Sequence, residues 1–441
     1  MPGSLTASAP SASATSSQTS VSRAEFALLI GLLLIFSEGI LPRLFSGEES
    51  ADGSVLLRYL WLPVYAITFA GLVWKLREVA QTCLRLPFLI ALLAVCALSF
   101  MWSIDPGLTQ RRSLAIIMTT AAGIFVGTRY SWKTLVRALA ITWFIVAVSS
   151  FVTGALSPSF GRDLDIHVGA WRGLFYEKNQ LGGQMARAAL FAAFLLIMDR
   201  PYRLYWAGLV VLSTVLVVLS TSKTALLGLL IGFGVLAMAG IMKRGMAIGL
   251  IMTWFGAVLA AIGGAILIFA PEIVVQALGR ALSLTGRTDI WITLMDYISE
   301  RPFLGYGYGA FWDLGSNPGN WVRELLEWDA PTAHNGWIEV TLALGIVGLL
   351  LLALDFLMTL WRAILTSVNT WTGVLALAFC AQFFLFSLSE SASLQQNSIV
   401  WLIYVALASK LARRPRGLVV IKPVRSTPTP RPLAQAGTVS S

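Results

Sequence analysis

Charge is scarce in this sequence. Asp, Glu, Lys and Arg make up 12% of its 441 residues, against 57% hydrophobic residues. A soluble domain carries about twice that charged fraction, so a water-soluble globular protein is excluded. There are two histidines and three cysteines. Cys83, Cys96 and Cys380 are odd in number and show no metal-ligand spacing, which excludes a disulfide framework and a thiolate metal site. They read as small apolar packing residues. No phosphate-binding glycine loop, HExxH or GxSxG elbow is present. Residues 1–22 are Ser, Ala and Thr-rich and read as disordered. No basic region precedes a short apolar core with a cleavage site, so they do not read as a signal peptide.

What is there in quantity is apolar sequence in long runs. The runs are too long and too uniform for barrel strands, which alternate, so they predict an all-α polytopic membrane protein. Candidate spans are 24–41, 55–74, 86–102, 113–130, 135–154, 184–198, 204–220, 224–242, 246–270, 336–361, 371–389 and 397–410. About 12 transmembrane helices put both termini on one side. The expected organisation is a disordered N-terminus (1–22), a transmembrane domain (23–410) with one large outer loop (271–335), and a disordered basic tail (411–441).

Loop charge sets the orientation. Lys75, Arg77, Arg85, Arg129, Lys133, Arg137, Arg200, Arg203, Lys243, Arg244, Arg362 and the tail gather in alternate connections, which the positive-inside rule assigns to the cytoplasm. The same rule accounts for the net charge of +10, so no nucleic-acid partner is expected. Both termini are then cytoplasmic, and the 271–335 loop faces outward with most of the acids. Several arginines share that outer side: Arg111, Arg112, Arg162, Arg172, Arg187, Arg280, Arg287, Arg301 and Arg323. Singly, each can snorkel or pair with an acid. Together they suit an anionic ligand such as a phosphate or diphosphate, which the guanidinium fork grips in two places.

The one long polar interval, Leu282 to Gly348, contains SLTGRTDIW, ERPFLGYGYGAFW and PTAHNGWIEVTLALGIVGLL. Gly286-Arg287-Thr288 opens an amphipathic helix with Ile290, Trp291, Leu294, Met295 and Ile298 on one face. Arg287 beside its N-terminus either snorkels or joins backbone N–H groups in holding an anion. Gly305-Tyr306-Gly307-Tyr308-Gly309 reads as a turn, since no pore helix precedes it as a potassium filter requires. Asp329, Pro331 and Thr332 are helix-start residues and place His334 in the first turn of the next span. The positive end of a helix disfavours an imidazolium, and a neutral imidazole can accept a proton as a general base must. Asn335 and Glu339 are four apart and share a face.

On the same side, WRGLFYEKNQLGG (171–183) carries Arg172, Lys178 and Asn179 among three glycines. It is either a clamp on phosphate or sugar, or an interfacial loop anchored by Trp171 and Tyr176. Asp163-Leu164-Asp165, next to His167, has the spacing of metal-binding DxD signatures, a pattern too short to support a metal site. Glu38, Arg58, Asp355 and Glu390, in or at the ends of spans, receive no role.

Taken in order, WSIDPGLTQRR (102–112), RGLFYEKNQLGG, GRTDIW, RPFLGYGYGAFW and HNGWIEVTLALGIVG resemble the O-antigen ligase and O-antigen polymerase family, in its exopolysaccharide-production (ExoQ-like) branch. The resemblance covers roughly 100–360. It implies a membrane glycosyltransferase of GT-C architecture that takes a glycan from an undecaprenyl-diphosphate carrier on the periplasmic side of the bacterial inner membrane. It passes the glycan to another carrier-linked chain or to lipid A core. The family's essential histidine corresponds to His334, and its arginines to Arg172 and Arg287, with Arg111 and Arg112 as further candidates. Lys178, Asn179, Asn335 and Glu339 complete the expected substrate-binding set. The resemblance implies neither metal nor cofactor. The partners it implies are the lipid-linked oligosaccharide, a glycan acceptor, the bilayer, and polysaccharide export or chain-length proteins. A lipid-linked glycan transporter or flippase is the competing expectation, although no internal repeat of the kind transporters show is evident.

Overall fold

The computed structural model describes residues 21–39, 55–164, 167–242, 287–313, 315–327 and 330–413. Most of both terminal segments, the expected span at 246–270, the start of the outer loop, Asp165 and Asp329 lie outside the described residues. Among the described residues there are only helices, turns and one isolated bridge between Arg162 and Trp171.

The helices are α1 (Arg23–Phe36), α2 (Val55–Trp74), α3 (Leu76–Cys83), α4 (Pro87–Leu98), α5 (Pro106–Arg129), α6 (Trp132–Leu156), α7 (Lys178–Met198), α8 (Arg203–Leu219), α9 (Lys223–Met242), α10 (Arg287–Glu300), α11 (Asn317–Leu326), α12 (Gly336–Ser367), α13 (Trp371–Ser389) and α14 (Ile399–Ala412). Among the described residues, six stretches are long and apolar enough to cross a membrane: α6, α7, Arg200–Leu219, α9, α12 and α13. A seventh arises if α2 and α3, bent by 92°, count as one. Every expected window within the described residues is helical, so the all-α polytopic class holds.

Boundaries moved where caps overrode hydropathy. The Asp105 side chain accepts from the Leu108 amide at 2.9 Å and Pro106 follows it. This is a strong helix start, so Arg111 and Arg112 lie inside α5 and not in the loop before it. α7 begins at Lys178 without a side-chain cap, so half of the expected 171–183 loop is helix.

α7 is the hub, packed against α6, α8, α9 and α13 and buried along most of its length. Small residues let the helices approach, as helix packing in lipid requires. A Cβ at Gly182 would lie 2.7 Å from Ala225 Cβ of α9. At Gly123 and Gly127 of α5 it would lie 2.9 and 2.6 Å from the Leu402 and Ala406 carbonyl oxygens of α14. Buried polar side chains cross-link the bundle: Gln382 Nε2 donates to the carbonyls of Ala186 (3.2 Å) and Gly228 (2.9 Å), and the Tyr404 hydroxyl to Asp355 Oδ2 (2.7 Å). Cys96 and Cys380 are buried and unoxidised, and Cys83 is half-buried.

Candidate functional site

The site begins with a helix break. Gly345 of α12 has φ 64° and ψ −163°, a combination available in practice only to glycine. The segment 302–307 fills the gap. The amides of Ile346 and Val347 donate to the carbonyls of Pro302 (2.8 Å) and Phe303 (3.4 Å), while the Leu342 and Ala343 carbonyls accept from the amides of Tyr306 and Gly307, each at 3.0 Å. Each of these four groups would otherwise lose its helical partner, and buried backbone groups need one. The expected single span over 336–361 is therefore a short helix from Gly336, a break, and a longer helix from Ile346 to Ser367. The Gly305–Gly309 turn has positive φ at its three glycines, which fits the turn reading and lets the strap fold back on α12.

A second apolar core lies on the strap. Ile290 and Leu294 of α10, Tyr306, Phe311, Trp312, Val322 of α11, Ala330, Ala333 and Leu342 form it, separate from the bundle core. Ile290, Trp291, Leu294 and Ile298 face inward as periodicity predicts, but Met295 is 47% exposed and leaves that face. The Tyr306 hydroxyl donates to Glu300 Oε2 (2.8 Å) or the Tyr297 carbonyl (3.0 Å). Burial, and then the Glu300 carboxylate, push its pKa up. Arg323 is a clasp: it donates to the carbonyls of Trp312 (2.6 Å) and Ala330 (3.2 Å) and to Asn320 Oδ1 (2.7 Å). Its place among the outward arginines is thus explained by the fold.

His334 lies at the edge of this cap, buried, in the left-handed conformation with φ 47°. It is not in the first helical turn as expected. Asn335 is the N-cap instead, its Oδ1 accepting from the amides of Trp337 (3.0 Å) and Ile338 (3.2 Å), and its Nδ2 donating to the Leu388 carbonyl (3.4 Å). Asparagine satisfies the orphan amides of a helix start better than the residues upstream, so the polar atoms of Asn335 serve the fold. Its neighbour Ala333 is held on both peptide groups. Its amide donates to Glu339 Oε2 (3.0 Å), and its carbonyl accepts from Trp291 Nε1 of α10 (2.9 Å). Glu339 also takes the Trp312 indole at 3.1 Å. Glu339 therefore orients the segment carrying His334.

One residue with no assigned role meets the histidine, and a buried arginine stands behind it. Glu390, at the end of α13, places Oε2 3.4 Å from His334 Nδ1. Arg187 of α7, buried over the Phe386 ring at 4.4 Å, lies within the field of Glu390. Sequence reasoning missed both, because α7, α13 and the 334 segment are remote in the chain. The one available signal was charge inside apolar runs.

The other expected residues are dispersed. Arg172 donates to the carbonyls of Phe160 (3.2 Å) and Ser159 (3.4 Å), in the turn before it, and not to His334. Lys178, buried at the start of α7, donates to Thr221 Oγ1 at 3.4 Å, and Asn179 follows it half-buried. Arg111 is exposed. Arg112 donates to the Gly309 carbonyl and lies 3.8 Å from Asp313. Arg287 is the first residue of α10, and its side chain lies outside what is described. A cavity of about 440 Å³ lined by Phe26, Arg137, Tyr202 and Trp206 sits at the opposite end of the bundle and touches none of these residues. Among the described residues, no three His, Cys, Asp or Glu side chains gather as a metal site would require.

Two comparisons with known proteins bear on this arrangement. A model of the O-antigen ligase family matches residues 208–353, which run from α8 through the cap and His334 into α12. The exopolysaccharide production protein ExoQ of Rhizobium meliloti (strain 1021) is 23% identical over 312 residues, 68% of this chain and 69% of that protein. Family model and relative agree with the motifs, and both support the O-antigen ligase and ExoQ-like family for this multi-pass, all-helical membrane protein, an enzyme family of polysaccharide assembly.

Proposed function

We propose that the chain is a membrane glycosyltransferase of GT-C type that polymerises or ligates glycan repeat units from an undecaprenyl-diphosphate carrier. It works at the periplasmic face of the bacterial inner membrane, with about twelve spans, both termini in the cytoplasm and the 271–335 loop outside. The observation that carries this reading is how His334 is held: a buried imidazole at the head of a broken helix, its neighbour Ala333 fixed by Glu339 and by Trp291. Arg287 opens α10, the helix whose Trp291 holds Ala333.

In this reading the acceptor hydroxyl bonds through its oxygen to the anomeric carbon and loses its proton to His334 Nε2. The bond from that carbon to the diphosphate oxygen breaks, and its electron pair leaves with the diphosphate. Arg287 opposes the charge growing there. Arg172 joins it, with Lys178 or Arg112 as a further cation toward the carrier's phosphates, and Asn179 gives a sugar contact. Attack opposite the leaving group inverts the anomeric centre. The activated donor drives transfer, so the scheme calls for no metal and no nucleotide cofactor.

The break at Gly345 favours one other reading, a transporter, because transporters use discontinuous helices to hold ions. Here the backbone groups at the break bond to the strap instead. One experiment separates the two: purified protein in detergent, given an undecaprenyl-diphosphate oligosaccharide and defined acceptors. Extended glycan is expected, and which acceptor is extended, repeat unit or lipid A core, distinguishes polymerase from ligase. His334→Ala and Arg287→Ala are expected to abolish transfer at normal expression. Near-normal product from either variant overturns the assignment of that residue, and no transfer by the parent protein favours the transporter.

A further inference from the structure

Arg187 is the least expected buried group in the fold. It is 4% exposed midway along α7, and its Nε has no hydrogen-bond partner. A Cβ at Gly183, one turn earlier, would come within 3.3 Å of its Nη1, so the glycine leaves room for the guanidinium. A cation at such depth is costly unless an opposite charge balances it. The acid acting on it is Glu390, whose Oε2 lies 3.4 Å from His334 Nδ1. The carboxylate at the end of α13 thus touches the imidazole of the segment before α12, and the guanidinium of α7 sits over Phe386, one turn before that carboxylate.

The loop that follows Glu390 is held firmly. The Tyr308 hydroxyl donates to the Leu394 carbonyl (2.7 Å) or Gln396 Oε1 (2.8 Å). The Asn397 amide donates to Thr119 Oγ1 (2.8 Å), and the Tyr65 hydroxyl to Asn397 Oδ1 (2.8 Å). Leu394 and Asn397 are left-handed, as His334 is. Non-glycine residues adopt that conformation at a cost and only where their surroundings impose it. The fold therefore imposes strained backbone on both sides of the carboxylate–imidazole contact.

We propose that Glu390 and Arg187 are positioning residues for His334, acting through its Nδ1. This rests on the reading of His334 as the proton acceptor. Glu390 accepts the Nδ1–H, which fixes the tautomer and leaves the Nε2 lone pair for the acceptor hydroxyl. When Nε2 takes the proton, the carboxylate balances the imidazolium, and the proton later leaves to water. Arg187 touches no substrate; its charge, over the Phe386 ring one turn before Glu390, attracts the carboxylate and helps hold it in place. The other charged neighbours are Glu339, which acts on His334 from α12, and Arg112 of α5, which acts on Glu339.

The test uses the full chain in detergent with the undecaprenyl-diphosphate oligosaccharide as probe. Glu390→Gln is expected to lower kcat about a hundredfold, within the range of a mispositioned base, with KM changed by less than about threefold. Glu390→Asp keeps the charge with a shorter reach and should fall between. Arg187→Met should match Glu390→Gln, and Arg187→Lys should recover part of the loss. On the trace single-turnover rate that His334→Ala leaves, Glu390→Gln should cost nothing more, because residues acting through one group are not additive. Two results overturn the proposal: a Glu390→Gln rate within about twofold of the parent, or the same fold-loss in both backgrounds, which marks a merely structural pair. If His334→Ala retains full transfer, the proton-acceptor reading itself fails. Thermal unfolding of each variant separates lost positioning from lost fold, and if Glu390→Gln unfolds, a parent-like kcat for Glu390→Asp and Arg187→Met overturns the proposal.

Discussion

The bundle and the cap are held by different forces. Around α7 and α14 the protein is a close-packed apolar solid in which glycines set the distance between helices. The cap over the break at Gly345 is a small aromatic core, and hydrogen bonds from the strap, Arg323, Glu339 and Trp291 carry most of its geometry. Lipid offers no hydrophobic gain between helices, so fit decides in the bundle. The cap core is small, so it needs directional bonds to fix one arrangement. The first region should fail by added volume and the second by a lost bond.

The largest effect is expected from Gly127→Leu, which drives a side chain into the Ala406 carbonyl and Ser409 of α14. Overpacking costs about 1–3 kcal/mol even where neighbours yield, and backbone cannot yield, so folded yield by size exclusion should collapse. Next is Gly345→Ala. The conformation is closed to alanine, a strain of about 1–3 kcal/mol, and the added Cβ meets the Phe303 and Leu304 backbone. Insertion should persist while the strap detaches, read as new proteolysis within 302–326 and a loss of transfer of tenfold or more on the order of that strain. Stable, fully active Gly345→Ala would erase the distinction between the two regions.

Glu339→Ala leaves the Ala333 amide and the Trp312 indole without their acceptor. Such groups cost about 1–3 kcal/mol, so the cap should loosen in hydrogen exchange and transfer should fall severalfold. The smallest effect belongs to Tyr308→Phe, which removes the hydroxyl bonded to the 394–396 loop. About 1 kcal/mol is at stake, read as a slightly lower Tm with transfer little changed. An equal loss from Glu339→Ala and Tyr308→Phe would mean that the cap does not single out the His334 segment.

Much of this was legible in the residues. The apolar windows within the described residues became helices, the glycine-tyrosine run became a turn, and α10 presented Ile290, Trp291 and Leu294 to a core. Met295 was misplaced because a helical face read from spacing is wider than the surface a small cap can cover. The start of α12 was misplaced because Asp329, Pro331 and Thr332 are as plausible a helix start as Asn335 until the Asn335 side chain is seen on two amides. The arginines assigned to the outer side, each able to pair singly and together suiting an anion, differ in their contacts: Arg323 and Arg112 bond to cap carbonyls, Arg172 to carbonyls of the turn before it, and Arg187 is buried.

By itself the sequence determined the helical membrane class. Spanning helices follow from the length of an apolar run, which is a local property. It also pointed to the 282–348 interval, because polar sequence of that length has no place in lipid. Only the tertiary structure decided that α12 is broken and sealed by a strap, and that Glu390, 56 residues away, meets His334. The reason is physical: a run or a cap is a statement about neighbours in the chain, whereas the partner of a buried charge is set by which helices pack side by side.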